Sequence, residues 1–107
     1  MVYLDYGVIV IKEFGNKVAF SLFHVGKTKK LPFELWQRAI LLLDIMDAVT
    51  SLDELQKKGF PPSIRLHKLK GNRKNEFAID INKISGWRIT FIFKDNDFFD
   101  MKIENYH

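Results

Sequence analysis

Cysteine is absent from this sequence of 107 residues. Disulfide bonds and thiolate metal sites are therefore excluded. The sequence has three histidines, His24, His67 and His107, but they lie far apart and do not show the spacing of zinc ligands. We expect a protein that works without a metal or another cofactor.

Long uninterrupted apolar stretches are also missing. Asp5, Lys12 and Glu13 break up the first residues, which argues against a secretory signal peptide. The richest apolar run, residues 39–49, contains two aspartates and is shorter than the roughly 20 residues that a membrane helix needs. We expect a cytoplasmic protein with no membrane association.

The composition that is present is typical of a folded domain. Hydrophobic residues make up 47% of the chain and aromatic residues 14%, including ten phenylalanines. That is too apolar for an intrinsically disordered chain. Two separate cores would each be too small at this length, so residues 1–107 are predicted to form a single domain.

Positive charge is concentrated in one short segment. The net charge is +4, and residues 63–75 contain five basic residues and no acidic ones. A second basic cluster, Lys27, Lys29 and Lys30, follows Gly26. Such focusing suits a polyanionic partner such as nucleic acid, although surface loops rich in lysine are common without one.

The first half of the chain predicts a strand followed by helices. The β-branched run Val8 to Ile11 favours a strand, and Gly15 and Asn16 favour a turn. Residues 17–25 fit the helical and the strand period equally poorly, so both remain open there. Residues 26–30 are predicted to form a loop.

The main amphipathic helix is predicted to begin at Pro32, a residue favoured in the first helical turn. Apolar residues then recur at helical spacing, namely Leu35, Ala39, Leu42, Met46 and Val49. The sequence Thr50 to Glu54 resembles a capping box, and Gly59 with the following prolines ends the segment. A second, shorter helix is predicted there, so that the two form a helical hairpin.

The second half predicts an antiparallel β-meander, because apolar residues alternate from Ile64 onward. Turns are expected at Asn82 to Gly86 and at Asp95-Asn96. The predicted core faces are Phe77, Ile79 and Ile81; Trp87, Ile89, Phe91 and Phe93; and Phe99, Met101 and Ile103. The predicted class is α+β, with an N-terminal strand and helices packed on a curved antiparallel sheet.

Several polar residues of the second half combine the groups that metal-independent RNA cleavage needs. The reaction requires a base for the 2′-hydroxyl, cations for the charge that grows on phosphorus, and an acid for the leaving oxygen. Imidazole, phenol and basic side chains can supply these functions. The candidates are His67, Lys70, Arg88, Tyr106 and His107.

Each candidate also has an ordinary structural reading. His67 is compatible with a polar surface residue, and chain ends such as Tyr106-His107 often fray. Arg88 points away from the core face of its strand and is free to pair with Glu76 or Asp100. For the set to act together, the strand that carries His67 must approach the last strand.

The order of the motifs resembles one toxin family. Arg-Leu-His-Lys-Leu-Lys-Gly-x-Arg-Lys at 65–74 is followed by Ala-Ile-x-Ile at 78–81 and Trp-Arg-Ile-x-Phe at 87–91. An Asp-rich turn at 95–97 and a final Tyr-His at 106–107 complete the pattern. This series is similar to the HigB-type plasmid-maintenance killer toxins of the RelE superfamily, from about residue 31 to the end.

The resemblance implies a toxin of a type II toxin–antitoxin system that cleaves messenger RNA in the ribosomal A site and so inhibits translation. It implies two kinds of partner, ribosome-bound messenger and a helix-turn-helix antitoxin of the HigA type. His67, Lys70, Arg88, Tyr106 and His107 match the family's catalytic positions. The implied RNA-binding residues are Arg65, Lys68, Arg73, Lys74 and Asn105, the last standing where the family commonly has Asp.

Two alternatives remain open at the level of the sequence. The same fold with the same basic segment would also suit a module that binds RNA or the ribosome with little or no cleavage. The related ParE-type toxins share the architecture but inhibit DNA gyrase. The terminal Tyr-His pair argues against the gyrase reading, because inhibition by protein contact needs no proton-transfer groups.

Overall fold

The computed structural model describes residues 11–48 and 65–106. Helix α1 spans Lys17–His24 and helix α2 spans Trp36–Met46. The strands are β1 His67–Lys68, β2 Phe77–Asn82, β3 Trp87–Lys94 and β4 Asp97–Asn105. The second predicted helix, the start of the predicted N-terminal strand and His107 lie outside the described residues.

Helix α1 resolves the ambiguity of residues 17–25 in favour of helix. The chain bends at Gly15 and Asn16, and the Asn16 side chain accepts a hydrogen bond from the backbone N–H of Ala19, which caps the helix. The Asn16 amide also donates to the carbonyl of Ile103 at 2.9 Å. The start of α1 is thereby tied to β4.

Helix α2 buries Ala39, Leu42 and Met46 of the predicted stripe, and the turn before it buries Leu35. Val49, the last residue of that stripe, lies outside the described residues. Pro32 precedes a 3-10 turn at Phe33–Leu35, and the α-helix follows that turn. The helix therefore begins slightly later than the sequence predicted. Among the described residues, no helix is long and apolar enough to cross a membrane.

The four strands form an antiparallel sheet in the order β1-β2-β3-β4. The β3–β4 hairpin turns at Asp95 and Asn96, whose φ angles are both positive, at 53° and 65°. Two consecutive positive φ angles match the twist of a tight hairpin, and Asn and Asp tolerate them well. The backbone N–H of Gly86 donates to the carbonyl of Asn82 at 3.0 Å, which closes the turn between β2 and β3. Both predicted turns are therefore confirmed.

Helices α1 and α2 cover one face of the sheet, and in the described residues the helices and the sheet form two layers around one hydrophobic core. Ile79, Ile89 and Phe91 lie completely buried on that face, as predicted. The other face is not covered by α1 or α2 and is called here the open face. Because register partners share a side of the sheet, this face carries Ala78, Asp80, Arg88, Thr90, Lys102 and Glu104. The predicted α+β class is confirmed.

The predicted core position of Phe99 is wrong, since Phe98 is fully buried instead. The pairing of β3 with β4 shifts between Thr90 and Ile92, where β4 contains an extra residue. Asp100 has a φ of 52° at this bulge. The extra residue reverses the side-chain alternation. The residues of β4 before the bulge therefore point to the opposite face from the one that strict alternation predicts.

The segment around Ile11 and Phe14 runs beside the outer edge of β4. Ile11 forms a parallel bridge with Phe98, and Phe14 forms one with Met101. A side chain at Gly15 would lie 2.0 Å from the Asp100 carboxylate. Glycine at this position therefore lets the N-terminal segment approach the strand, whose edge groups it satisfies.

Candidate active site

His67 lies on edge strand β1 and faces the open side of the sheet, since its register partner is Ala78. Its Nδ1 lies 2.8 Å from the backbone carbonyl of Arg65. A carbonyl oxygen can only accept, so Nδ1 carries the proton in the neutral ring and Nε2 retains a lone pair. His67 is thus oriented to accept a proton through Nε2.

The backbone beside His67 is held in an unusual conformation. Arg65 has a φ of 49°, in the left-handed region that non-glycine residues rarely occupy. Its Nε donates to Asp80, a carboxylate on the open face that is only 2% exposed, at 3.2 Å. This ion pair fixes the carbonyl that binds His67, while the Arg65 side chain remains half-exposed.

A compact basic loop, residues 69–76, connects β1 to β2. The backbone N–H of Leu69 donates to the carbonyl of Glu76, and Gly71–Arg73 forms a 3-10 turn. Gly71 has a φ of +70°, which explains the glycine in the Lys-Gly motif. Lys70 and Lys74 are exposed on this loop, and Lys68 places its Nζ 5.8 Å from the Phe77 ring centroid.

Arg73 points inward from the basic loop and spans two carboxylates. Its guanidinium donates to both oxygens of Glu76, at 2.7 and 2.8 Å, and to Glu104 on β4 at 2.6 Å. It also reaches Thr90, which is fully buried on the open face. The structure therefore places Arg73, predicted as an RNA ligand, as the anchor of the basic loop.

These contacts change the ionisation of the participating groups. Hydrogen bonds from Arg73 hold the pKa of Glu76 below its ordinary value, with a smaller contribution from the charge of Lys102. Burial by itself raises the pKa of Glu104, but hydrogen bonds from Arg73 and Arg88 outweigh it and the net pKa is lowered. The pKa of Arg73 is raised, chiefly by Glu76. All three groups stay charged near neutrality.

The C-terminal corner, defined as Arg88, Glu104, Asn105 and Tyr106, forms the second part of the site. Arg88 binds Glu104 at 3.1 Å, and its guanidinium carbon lies 4.8 Å from the Tyr106 ring centroid. Asn105 donates its side-chain amide to the carbonyl of Ser85 at 3.0 Å. The corner is therefore fastened to the β2–β3 hairpin.

The buried part of Arg88 has spare hydrogen-bonding capacity. Its Nε is buried without a hydrogen-bond partner in the described part of the chain, as is Oδ1 of its cross-strand neighbour Asp80. A buried unpaired polar atom costs about 1–3 kcal/mol, and such cost is commonly tolerated at functional sites. Arg88 is therefore held in place by Glu104, while its Nε–H remains available for a further hydrogen bond.

The basic loop and the C-terminal corner do not meet directly. Strand β2 lies between His67 and Arg88, and adjacent strands are about 4.8 Å apart, so roughly 10 Å separates β1 from β3. Strands β1 and β4 are opposite edges of the described sheet. The approach of the two strands that the sequence analysis required is absent from the described residues; Arg73 and Glu104 bridge the gap instead.

Glu104 is the residue that the sequence analysis missed. It joins Arg73 of the basic loop to Arg88 of the corner, whereas the sequence predicts Glu76 or Asp100 as the partner of Arg88. Glu104 faces away from Met101 and Ile103 and lies opposite Arg88 in register. Strand parity alone would have placed it on the open face.

The sequence of this chain is similar to those of known toxins. The family described as "RelE-like toxin of type II toxin-antitoxin system HigB" matches residues 12–107. This chain belongs to the HigB-like toxin family. A curated relative, Endoribonuclease HigB of Proteus vulgaris, is 33% identical over 98 residues, which is 92% of this chain and 100% of the relative. The family match at residues 12–107 includes the whole region in which the motifs resemble this family, so the predicted family membership is confirmed.

Proposed function

We propose that this chain is a ribosome-dependent endoribonuclease that cleaves messenger RNA in the cytoplasm and so inhibits translation. The observation that carries the proposal is the contact of His67 Nδ1 with the Arg65 carbonyl, which places the proton of the neutral ring on Nδ1 and leaves the Nε2 lone pair available as a base. Membership of the HigB-like family and the name of the 33% identical relative support RNA cleavage over gyrase inhibition.

In the proposed reaction, the ribose 2′-oxygen attacks the adjacent phosphorus while His67 Nε2 takes the 2′-hydroxyl proton. The bond from phosphorus to the 5′-oxygen breaks, which leaves a cyclic phosphate and a 5′-hydroxyl. His107 or Tyr106 supplies the proton to the leaving oxygen. Lys70 and Arg88 stabilise the negative charge on the phosphoryl oxygens, and no metal is required.

The separation of the two halves of the site supports a need for the ribosome. In the free protein, about 10 Å lies between the strands that carry His67 and Arg88, and Glu104 neutralises Arg88. A bound phosphate must compete with that carboxylate for Arg88. A surface that holds the messenger across the open face would supply the missing orientation, which is worth several orders of magnitude in rate.

The binding partners follow from the same proposal. The half-exposed Arg65, the exposed Lys74 of the basic loop and Asn105 of the C-terminal corner are proposed to contact RNA. Lys68 is proposed to contact RNA from the edge of the sheet, because its register partner is Phe77 and its side chain therefore leaves β1 on the side opposite His67. Arg73 acts through the loop that it anchors. A helix-turn-helix antitoxin of the HigA type is the proposed protein partner.

The same separation also favours a second candidate function, a binding module with little cleavage. Brief expression of the chain in bacteria, followed by mapping of messenger 5′ ends, separates the two. Cuts phased to the reading frame that disappear in His67→Ala and Lys70→Ala, but persist in the control variant Lys94→Ala, support the nuclease. Absence of new ends with soluble, folded wild-type protein refutes it in favour of the binding module.

A further inference from the structure

A large groove lies beside the C-terminal corner and is not used by the proposed reaction. It has a volume of about 1140 Å³ and runs between α1, the loop before α2 and the adjoining ends of β3 and β4. Pockets for small molecules usually measure about 300–1,000 Å³. The groove is called here the lysine groove, after the four lysines among its lining residues, Lys17, Lys27, Lys29 and Lys30. Its large volume and open shape suit a segment of a polymer.

The rim of the lysine groove is strongly basic. Lys17 of α1 and Lys27, Lys29 and Lys30 of the following loop line it. The carboxylate among the described lining residues is that of Glu104, which Arg73 and Arg88 already neutralise. Four cations therefore face the groove with their charge uncompensated by its walls, which favours an anionic occupant.

Aromatic rings form part of the groove wall. Phe33 is 75% exposed and meets the Trp36 ring edge-on, with 4.9 Å between centroids. The Trp36 indole N–H donates to the Leu31 carbonyl at 2.8 Å, which fixes the ring. Proteins that bind single-stranded nucleic acids stack the bases on exposed aromatic rings beside basic side chains. Phe33, which packs against the fixed ring of Trp36, is such a ring.

The groove is continuous with the proposed active site through Glu104 and Asn105, which line both. We propose that the lysine groove binds the messenger strand on one side of the cleavage position, with phosphates on the lysines and a base stacked on Phe33. This inference rests on the proposed function for the identity of the strand. It adds a binding site for flanking nucleotides that the reaction itself does not require.

The experiment measures binding of a 2′-O-methyl oligouridine, which cannot be cleaved, by fluorescence anisotropy over a series of salt concentrations. For single strands each phosphate contact contributes about 0.7 to the slope of log affinity against log salt. We expect Lys29→Ala/Lys30→Ala to reduce the slope by about 1.4. Phe33→Ala should weaken binding by about five-fold or more at constant slope.

The matched control is Lys12→Ala/Lys94→Ala, which removes the same charge from two exposed lysines that line neither the groove nor the pocket beside Arg65. This variant should keep the wild-type slope. Equal losses in the two double variants, or no loss in either, would overturn the inference. Because the probe cannot be cut, a wild-type protein that binds it through the groove but cleaves no messenger would refute the proposed function alone.

Discussion

Substitution of Arg73 by alanine distinguishes an anchor of the basic loop from an RNA ligand. The change removes hydrogen bonds to Glu76, Glu104 and Thr90 and leaves two partly buried carboxylates with fewer partners. Removing one partner of a buried ion pair costs about 3–5 kcal/mol, and exposed pairs contribute about 0–1 kcal/mol. Because the Arg73 side chain is 31% exposed, we expect an intermediate loss of about 2 kcal/mol in unfolding free energy.

For a domain of this size, about 2 kcal/mol corresponds to a decrease in Tm of roughly 8 °C. Thermal unfolding followed by circular dichroism measures it, with Lys74→Ala as the control, because Lys74 is the exposed neighbour on the same loop. The control should stay within about 0.5 kcal/mol of wild type. Arg73→Lys should recover only part of the loss, since lysine cannot bind Glu76 through two parallel hydrogen bonds.

The opposite pattern would refute this reasoning. If Arg73→Ala melted at the wild-type temperature while the salt slope for oligonucleotide binding decreased by about 0.7, Arg73 would be a phosphate ligand. The ion pairs with Glu76 and Glu104 would then contribute nothing measurable. Lys74→Ala should show the reverse behaviour, with unchanged stability and a smaller slope.

Three further predictions address the corner, the core and acid stability. Asn105→Asp should lower Tm by several degrees, because a carboxylate cannot donate to Ser85 and would repel its carbonyl; an unchanged Tm would exclude a stabilising role for that contact. Phe98→Ala should cost about 3–5 kcal/mol in urea unfolding and Phe99→Ala much less, and equal costs would contradict the assigned bulge. Glu76 has a depressed folded pKa, so its stabilising contribution exists above its unfolded pKa of about 4.3 and is lost as pH falls through the folded value. Between pH 5 and 3, the Tm of Glu76→Gln should therefore fall less steeply than that of wild type, and parallel curves would contradict the pairing.

Much of the fold could be predicted because its signals are local. Alternating apolar residues identified the strands and the core face around Ile89, and the pair Asp95-Asn96 identified a tight hairpin. Helical spacing identified the buried stripe of α2. Each of these patterns depends on side chains only a few residues apart, which is the range over which sequence periodicity is informative.

The position of Phe99 could not be predicted in the same way. Strand parity assumes that no residue is inserted, and the bulge at Asp100 breaks that assumption. The N-terminal segment lies beside β4 at this bulge, and Gly15 leaves room there for the Asp100 side chain. This is a contact between residues 85 positions apart in the sequence, so no local pattern reveals it.

The sequence by itself determined which chemical groups this toxin-family chain has available, because motif order and residue type are properties of the chain. It offered His67, Lys70, Arg88, Tyr106 and His107 as catalytic candidates, and it assigned the remaining basic residues of 63–75 alike to RNA binding. The tertiary structure separated them: Arg73 and Arg65 face carboxylates, whereas Lys70 and Lys74 face solvent. The physical reason is that the partner of a charge is chosen by distance, and Glu104 comes within 2.6 Å of Arg73 only when the loop folds over the open face of the sheet.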